Sequence, residues 1–180
     1  MTHEIEVIRQ VLEGDIESFG RLVERYEKSV VRIIRNMTNK TESCEDIAQD
    51  VFFTAYKKLA SFDPARSCFS TWLFTIARNK SINAMKKKRP ASMGELPEKI
   101  NRHNPSDKLA EREFLDRLDR ELLTLPPGQK RAFVFAEFEE LSYEEIAQIE
   151  GVRIGTIKSR ISRAKRRLAM ALGDIGGDLT

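Results

Sequence analysis

The chain has few of the residues that cross-link small folds or bind metals. Its 180 residues include only 2 cysteines and 2 histidines. Cys44 and Cys68 are too few and too far apart for a disulfide framework or a cysteine-based zinc site. We expect Cys44 to be a core residue and Cys68 to lie in a loop, so neither a disulfide-stapled fold nor a metal-centred one is predicted.

Long apolar runs are also missing. Hydrophobic residues make up 41% of the chain, which is enough for compact cores, but they are dispersed among charged residues. No stretch is long enough for a membrane span, and none has the organisation of a signal peptide. We therefore expect a cytoplasmic protein with no direct membrane insertion.

Glycine and proline are scarce, with 9 and 6 copies, and three of the prolines fall together. Pro90, Pro97 and Pro105 lie in a polar stretch that is typical of a linker. On either side, apolar residues recur with helical periodicity. The predicted fold is all-α: two small helical domains, 1–89 and 109–180, joined by a flexible linker at 90–108.

Capping residues and periodicity place the helices of the first domain. A short helix should stop near Gly14, Asp15 should cap the next, and Ser43 with Asp46 should open a third that runs to about Leu59. Ser70 should cap a fourth helix, from about Thr71 to Lys88. The predicted inward residues are Ile5, Ile8, Val11 and Leu12; Phe19, Leu22, Val23, Tyr26, Val30 and Ile33; Cys44, Ile47, Val51, Ala55 and Leu59; and Leu73, Ile76 and Ala77.

The second domain should end in a helix-turn-helix. Ser142 and Glu145 form a capping-box pattern, and Gly151 suits the left-handed backbone that ends a helix. The predicted inward residues are Phe114, Leu115, Leu118 and Leu122; Ala132, Phe133, Ala136 and Phe138; Ile146, Ala147 and Ile149; and Ile154, Ile157, Ile161, Ala164 and Leu168.

The last helix presents a small, basic outer face. From Gly151 to Leu172 the chain has seven lysines or arginines and no acid. Small side chains let a helix backbone approach a major groove closely, and the cations bind phosphates. The outer residues are Gly155, Ser159, Ser162, Arg163 and Arg166, with Thr156 and Lys158 beside them. A solvated basic face is the alternative for this helix taken alone.

Two faces of the first domain also favour binding. Asp46, Gln49, Asp50 and Phe53 share the side of their helix that points away from the core, so Phe53 is a candidate anchor for a protein partner. Its alternative is burial under a neighbouring helix.

The fourth helix combines an aromatic, two amides and a basic end, which suits unpaired nucleic acid; these residues are Trp72, Thr75, Arg78, Asn79, Asn83, Lys86 and Lys87. The chain's single Trp could instead be a core residue.

Several motifs in fixed order resemble the bacterial RNA polymerase sigma factors, specifically the two-domain extracytoplasmic-function (ECF) group of the sigma-70 family. The segments are Glu45–Phe53, Phe69–Asn79, Leu125-Pro126-Pro127 and Gly155–Ala164. The resemblance extends from about Asp15 to Leu172. It implies a protein that binds core RNA polymerase, directs it to promoter DNA and helps to open the duplex.

The resemblance also implies roles for residues. Asp46, Gln49, Asp50 and Phe53 would bind the polymerase. Minus-ten DNA would be opened and read by Phe62, Phe69, Trp72, Asn79, Asn83, Lys86 and Lys87, with the loop from Phe62 to Phe69 receiving a flipped base. The minus-thirty-five duplex would be read by Arg153, Thr156, Lys158, Ser159, Ser162, Arg163 and Arg166. An anti-sigma factor would hold the protein inactive, and no cofactor, metal or small-molecule substrate is implied.

Two positions depart from the commonest family pattern, and two other classes of protein are weighed against it. Arg153 stands where many members have Pro, and Asn83 where many have Asp, so the preferred promoter letters do not transfer.

A stand-alone helix-turn-helix regulator would share the last hairpin but would normally carry a ligand-binding or phosphoacceptor domain. A nucleic-acid enzyme would need converging acids or a phosphate-binding glycine loop, which the sequence does not contain.

Overall fold

A computed structural model describes residues 2–38, 44–87 and 109–173. These residues form eight α-helices, connected in part by short 3-10 turns, and no strand occurs among them. The helices are α1 (Thr2–Leu12), α2 (Phe19–Thr38), α3 (Cys44–Lys58), α4 (Phe69–Lys87), α5 (Leu109–Thr124), α6 (Pro127–Glu137), α7 (Tyr143–Glu150) and α8 (Ile154–Leu172). The predicted all-α class is confirmed. The predicted Ser43 cap and the 90–108 linker lie outside the described residues.

Helices α2, α3 and α4 pack against one another, and α1 covers one end of α2. In the other half of the chain α8 packs on α5, α6 and α7. The two halves also touch, because α4 packs on α7 and α2 on α6. The main apolar cluster accordingly runs from Val7 in α1 to Ile161 in α8, while a smaller one around Leu122, Leu125 and Leu168 joins α5 to α8.

The helix-turn-helix forms as predicted. Ser142 and Glu145 make a complete capping box at the start of α7, and Gly151 adopts a left-handed backbone with φ of 65° at its end. Helix α8 begins at Ile154, with Arg153 as its N-cap residue. Ile157, Ile161, Ala164 and Leu168 are buried, as their period requires.

Some of the predicted inward residues are wrong. Ile5 and Leu12 in α1 are 44% and 52% exposed, and Ile154 at the first turn of α8 is 37% exposed. Each lies at the border of its apolar stripe or in a terminal turn, where no other helix among the described residues covers it. In α6 the fully buried ring is Phe135, whereas Phe133 and Phe138 are partly buried and pack on the smaller cluster. Helix α4 begins at Phe69, so Ser70 lies inside its first turn and is not its cap.

Gly151 and Gly155 provide a matched test of the turn. A Cβ at Gly151 would meet no atom within 4 Å, so the cost of Gly151→Ala should come from its positive φ alone. We expect this substitution to lower the free energy of unfolding by about 1 kcal/mol in urea denaturation. Gly155→Ala, inside α8 and equally free of neighbours, should raise it by about 0.5–1 kcal/mol. Equal effects of the two substitutions would contradict the turn geometry.

Candidate polymerase and DNA interfaces

The predicted protein-binding residues form an exposed surface on α3, which we call the α3 face: Asp46, Gln49, Asp50 and Phe53. All four are exposed, and the Phe53 ring is 58% exposed. The ammonium group of Lys57 lies 4.2 Å from the centroid of that ring, and Lys80 Nζ is 3.7 Å from an Asp50 oxygen. None of the described helices buries Phe53, so the alternative of burial under a neighbouring helix is wrong.

The predicted nucleic-acid residues of α4 divide into an exposed group and a packed group. Asn79, Asn83 and Lys86 are exposed and form what we call the α4 face. Trp72 is partly buried, because its ring centroid lies 5.6 Å from those of both Phe62 and Phe69. Phe69 itself is only 3% exposed. Trp72 is therefore neither fully exposed, as predicted, nor a core residue, because Phe62 and Phe69 pack against its ring.

Beside this aromatic cluster is a cavity of about 230 Å³. The segment from Phe62 to Phe69 forms one wall, and α1 forms the other through Glu4, Ile5 and Ile8. The Glu4 carboxylate accepts a hydrogen bond from the Tyr26 hydroxyl. Burial, followed by this bond to Glu4, raises the pKa of Tyr26, so the phenol stays protonated as the donor. The loop predicted to receive a base thus borders a real cavity, which also contains the partly exposed Cys68.

The outer side of α8 is open, and we call it the α8 face: Lys158, Ser159, Ser162, Arg163 and Arg166. All of these side chains are exposed, as are Arg153 and Gly155, while Thr156 is partly buried. The Ser159 hydroxyl donates to the Thr156 carbonyl at 2.9 Å. The geometry leaves a basic, small-residue surface along one side of the helix, as the sequence predicts.

A buried carboxylate that no sequence motif predicted, Glu150, lies at the end of α7. Its side chain is 1% exposed and contacts three guanidinium groups. We call Glu150 and these three arginines the Glu150 cluster. Arg131 donates to both carboxylate oxygens at 2.8 Å, Arg160 to one at 3.2 Å, and Arg78 to the other at 3.1 Å. The available signal was that Glu150 follows Ile146 by four residues, which places an acid on the buried side of α7.

The Glu150 cluster connects the two halves of the chain. Arg78 belongs to α4, next to Asn79, whereas Arg131 and Arg160 belong to α6 and α8. Burial alone would raise the pKa of Glu150, but the hydrogen bonds and charges of Arg131 and Arg78 outweigh it, so the pKa lies below its usual value of 4.5. The carboxylate is therefore ionised at neutral pH and holds α4 against the helix-turn-helix.

Three further contacts cross the same boundary. Arg32 in α2 binds Glu139 through two hydrogen bonds of 2.6 and 3.0 Å, and the Glu139 side chain is 3% exposed. The Thr71 hydroxyl donates to Glu145 at 3.2 Å, and the Phe74 and Phe135 rings stack with their centroids 6.5 Å apart. Charged, polar and aromatic contacts together fix how α4 and α2 meet α6 and α7.

Among the residues placed by the structure, no group of three or more His, Cys, Asp or Glu is arranged to hold a metal ion. None of the described helices is both long and apolar enough to cross a bilayer.

Comparisons with known proteins agree in both halves of the chain. Residues 22–90 match the family model for Sigma-70 region 2, and residues 115–168 match that for Sigma-70, region 4. The chain is 31% identical to the ECF RNA polymerase sigma factor SigW of Bacillus subtilis, over 93% of this chain and 96% of that protein. It is also 31% identical to the ECF RNA polymerase sigma-E factor of Escherichia coli K12, over 90% of each.

Two solved structures resemble the fold over most of the chain. The sigma factor RpoE of Bartonella quintana, in complex with the anti-sigma factor NepR, has a TM-score of 0.72 and 26% identity, covering 89% of this chain and 99% of RpoE. CnrH, in complex with the cytosolic domain of CnrY, has a TM-score of 0.71 and 25% identity, covering 94% of this chain and 97% of CnrH.

The lowered pKa of Glu150 makes a prediction about stability. The ionised carboxylate stabilises the fold above about pH 4.5, and this contribution should disappear as the pH falls through the lower folded-state value. Glu150→Gln should reduce the free energy of unfolding at pH 7 by about 3–5 kcal/mol, the usual effect of breaking a buried ion pair, and should flatten its acid dependence. Urea denaturation at several pH values measures both effects.

The matched control is Glu137→Gln, which removes an acid that is paired with Lys165 but is 37% exposed. This variant should follow the wild-type curve to within about 1 kcal/mol, because exposed pairs contribute little. If Glu150→Gln and Glu137→Gln behaved alike, the Glu150 cluster would not be the stabilising contact that its geometry indicates.

Proposed function

This chain belongs to the ECF group of RNA polymerase sigma factors, and we propose that the three faces described above divide the work of promoter recognition among them. As a sigma factor it binds core RNA polymerase, directs it to promoters and participates in transcription initiation. The region 2 match accounts for the N-terminal half, so a stand-alone helix-turn-helix regulator is not favoured. We assign it no catalytic residue.

The α3 face is the proposed polymerase-binding surface, and the exposure of Phe53 is the observation that carries this assignment. A ring that is 58% exposed among acids and an amide is available as an apolar anchor for a partner. Asp46, Gln49 and Asp50 surround it with hydrogen-bond acceptors. An apolar anchor inside a polar rim is the usual composition of a binding hot spot.

The α4 face and the adjacent cavity are the proposed site of minus-ten recognition. Asn79 and Asn83 can read base edges, while Lys86 and Lys87 bind phosphates. Unpairing and flipping a base costs a few kcal/mol, and a preformed cavity with aromatic walls offsets part of that cost. The Phe62–Trp72 packing and the cavity volume support this assignment, with Trp72 acting as a braced stacking surface.

The α8 face is the proposed reader of the minus-thirty-five duplex. Arg153, Thr156, Lys158, Ser159, Ser162, Arg163 and Arg166 lie on or beside its open surface. Lys158 or Arg163 suits a guanine edge, and the other cations suit phosphates. The domain limits that follow from these roles are 1–89 for polymerase binding and minus-ten DNA, and 109–180 for minus-thirty-five DNA, with 90–108 between them.

An anti-sigma factor is the proposed regulator. RpoE of Bartonella quintana, which this chain resembles over most of its length, is described in complex with the anti-sigma factor NepR. The α3 and α8 faces are exposed here and would be available to such a partner.

Phe53→Ala tests the polymerase assignment. Losing a central aromatic anchor typically costs 2 kcal/mol or more, so affinity for core polymerase should fall by about 30-fold or more. Met170→Ala is the matched control, because Met170 is 80% exposed on α8 and lies outside the three faces. Its affinity, measured by the same fluorescence titration, should equal that of the wild type. Unchanged binding by Phe53→Ala would refute the assignment.

Permanganate footprinting tests the minus-ten assignment. Reactive unpaired thymines should appear in a promoter-containing DNA library only when core polymerase and this protein are both present. Asn83→Ala should retain polymerase binding and weaken the footprint by about tenfold, since a base-edge contact contributes about 1–3 kcal/mol; Trp72→Ala should abolish it. If the protein protected duplex DNA unaided and polymerase changed nothing, the N-terminal assignment would be wrong.

A further inference from the structure

The cavity beside α4 has one wall that comes from α1, the first helix of the chain. Glu4, Ile5 and Ile8 line this cavity together with the segment from Phe62 to Phe69. Helix α1 precedes residues 22–90, which are the part of the chain that matches Sigma-70 region 2. The α1 wall is therefore a feature of the cavity that the region 2 match does not account for.

The acid in this wall is held in a defined position. The Glu4 side chain is 11% exposed, and its Oε1 accepts a hydrogen bond from the Tyr26 hydroxyl and lies 3.4 Å from Arg25 Nε. The Tyr26 ring is fixed in turn, because its centroid lies 5.6 Å from that of Phe69 and 6.1 Å from that of Phe74. A carboxylate bonded to a ring that the core holds is preorganised for contact with a ligand.

The second oxygen of Glu4 remains available. The hydrogen bond from Tyr26 and the ion pair with Arg25 both use Oε1, and no donor among the described residues contacts Oε2. Oε2 is not one of the fully enclosed atoms that lack a hydrogen-bond partner, so it keeps an open side. Since Glu4 lines the cavity, Oε2 can accept a hydrogen bond from a group that enters it.

The other cavity residues suit a single nucleobase. The rings of Phe62 and Phe69 and the side chain of Ile8 supply apolar walls, and the volume of about 230 Å³ is below that of a typical drug-sized pocket. Arg66 also lines the cavity, and its side chain is 84% exposed, so this cation can reach the phosphate of a nucleotide whose base is inside. A flat heterocycle needs this combination of apolar walls and one polar edge contact.

A carboxylate oxygen distinguishes among the four bases by their amino groups. Cytosine, adenine and guanine each carry an exocyclic amino group, which donates hydrogen bonds. Thymine has no amino group, and a carbonyl oxygen lies on each side of its single ring N–H. An acceptor such as Oε2 attracts an amino group and repels a carbonyl oxygen.

We infer that Glu4 is a specificity-determining residue of the cavity: its Oε2 accepts a hydrogen bond from the amino group of an unpaired minus-ten base, so the cavity takes cytosine, adenine or guanine and rejects thymine. Tyr26 is the positioning residue that holds the carboxylate. This inference rests on the proposed function, because it takes the cavity to receive a promoter base.

The experiment is a selection with core polymerase and the full-length protein. The DNA pool has duplex flanks and a minus-ten segment whose nontemplate strand is randomised opposite abasic sites, so that it is already unpaired. Sequencing of the bound DNA should show thymine depleted about tenfold at one position of that segment. Glu4→Gln keeps an oxygen for Tyr26 and turns an amide NH₂ donor toward the cavity. The depletion at that position should therefore disappear, while the preferences at the other positions remain.

Two controls separate the edge contact from charge and size. Glu6→Gln makes the same charge change on the same helix, but Glu6 is bonded to Arg9, is 46% exposed and does not line the cavity. This variant should select the same sequences as the wild type. A second pool carries uracil in place of thymine, which removes the methyl group. The wild type should deplete uracil equally, whereas acceptance of uracil would assign the effect to the methyl group and overturn the inference.

Tyr26→Phe keeps the test decisive if Glu4→Gln loses helical structure by circular dichroism. It retains the ring that packs on Phe69 and Phe74 and removes only the hydroxyl donor, so it should weaken the thymine depletion at the same position. Wild-type preferences at every position in Tyr26→Phe and in any folded Glu4→Gln would refute the role of Glu4, and the proposed function would stand. If the wild type and polymerase selected no minus-ten sequence at all, the proposed function itself would be refuted.

Discussion

A carboxylate that is 99% removed from solvent has to be matched by cations, and this requirement at Glu150 determines how the helices of the protein meet. Desolvating a charged group costs several kcal/mol even after relaxation, so a single exposed partner would not retain it there. Arg131 takes both oxygens and Arg160 shares one within the same half, while Arg78 completes the set from α4. Because Arg131, Arg160 and Arg78 sit on α6, α8 and α4, satisfying one acid brings three helices to the end of a fourth. The main apolar cluster includes buried residues from both halves, so it packs across the same contact.

The surfaces left open in this arrangement are as informative as those that are covered. The α3 face and the α8 face lie on helices whose outer sides no other described helix buries, whereas α7 packs against α4. Polymerase docking through Phe53 therefore does not require the two halves to separate. Electrostatic association with DNA through the α8 face is likewise available from the start.

Local signals in the sequence were sufficient where the chain itself supplies the partner. The Ser142–Glu145 capping box, the left-handed Gly151 and the outer side of α8 depend on residues only a few positions apart, and all three have the predicted form. Periodicity was less reliable for Ile5, Leu12 and Ile154, because it gives the centre of an apolar stripe but not its width, which the neighbouring helices decide. Phe135 could not be distinguished from Phe133 for the same reason. The partners of Glu150 could not be predicted from the sequence. An acid on a buried stripe indicates that cations must contact it, but it does not indicate that they belong to residues 19 and 72 positions away.

Trp72 belongs both to the packing of the first half and to the proposed DNA-binding surface. Its ring packs against Phe62 and Phe69, and Phe69 in turn lies 5.6 Å from Tyr26, whose hydroxyl binds Glu4 in α1. A stacking surface that stood free would lose rotamer entropy on each encounter with a base, whereas one braced on a side by the core has already lost it on folding. Phe62 and Phe69 line the cavity beside α4, and Trp72 packs against both rings. The packing that fills the core therefore also shapes the cavity. The buried Phe69 ring therefore supports the partly exposed Trp72 ring. This contact holds Trp72 at the surface, where an unpaired base would stack.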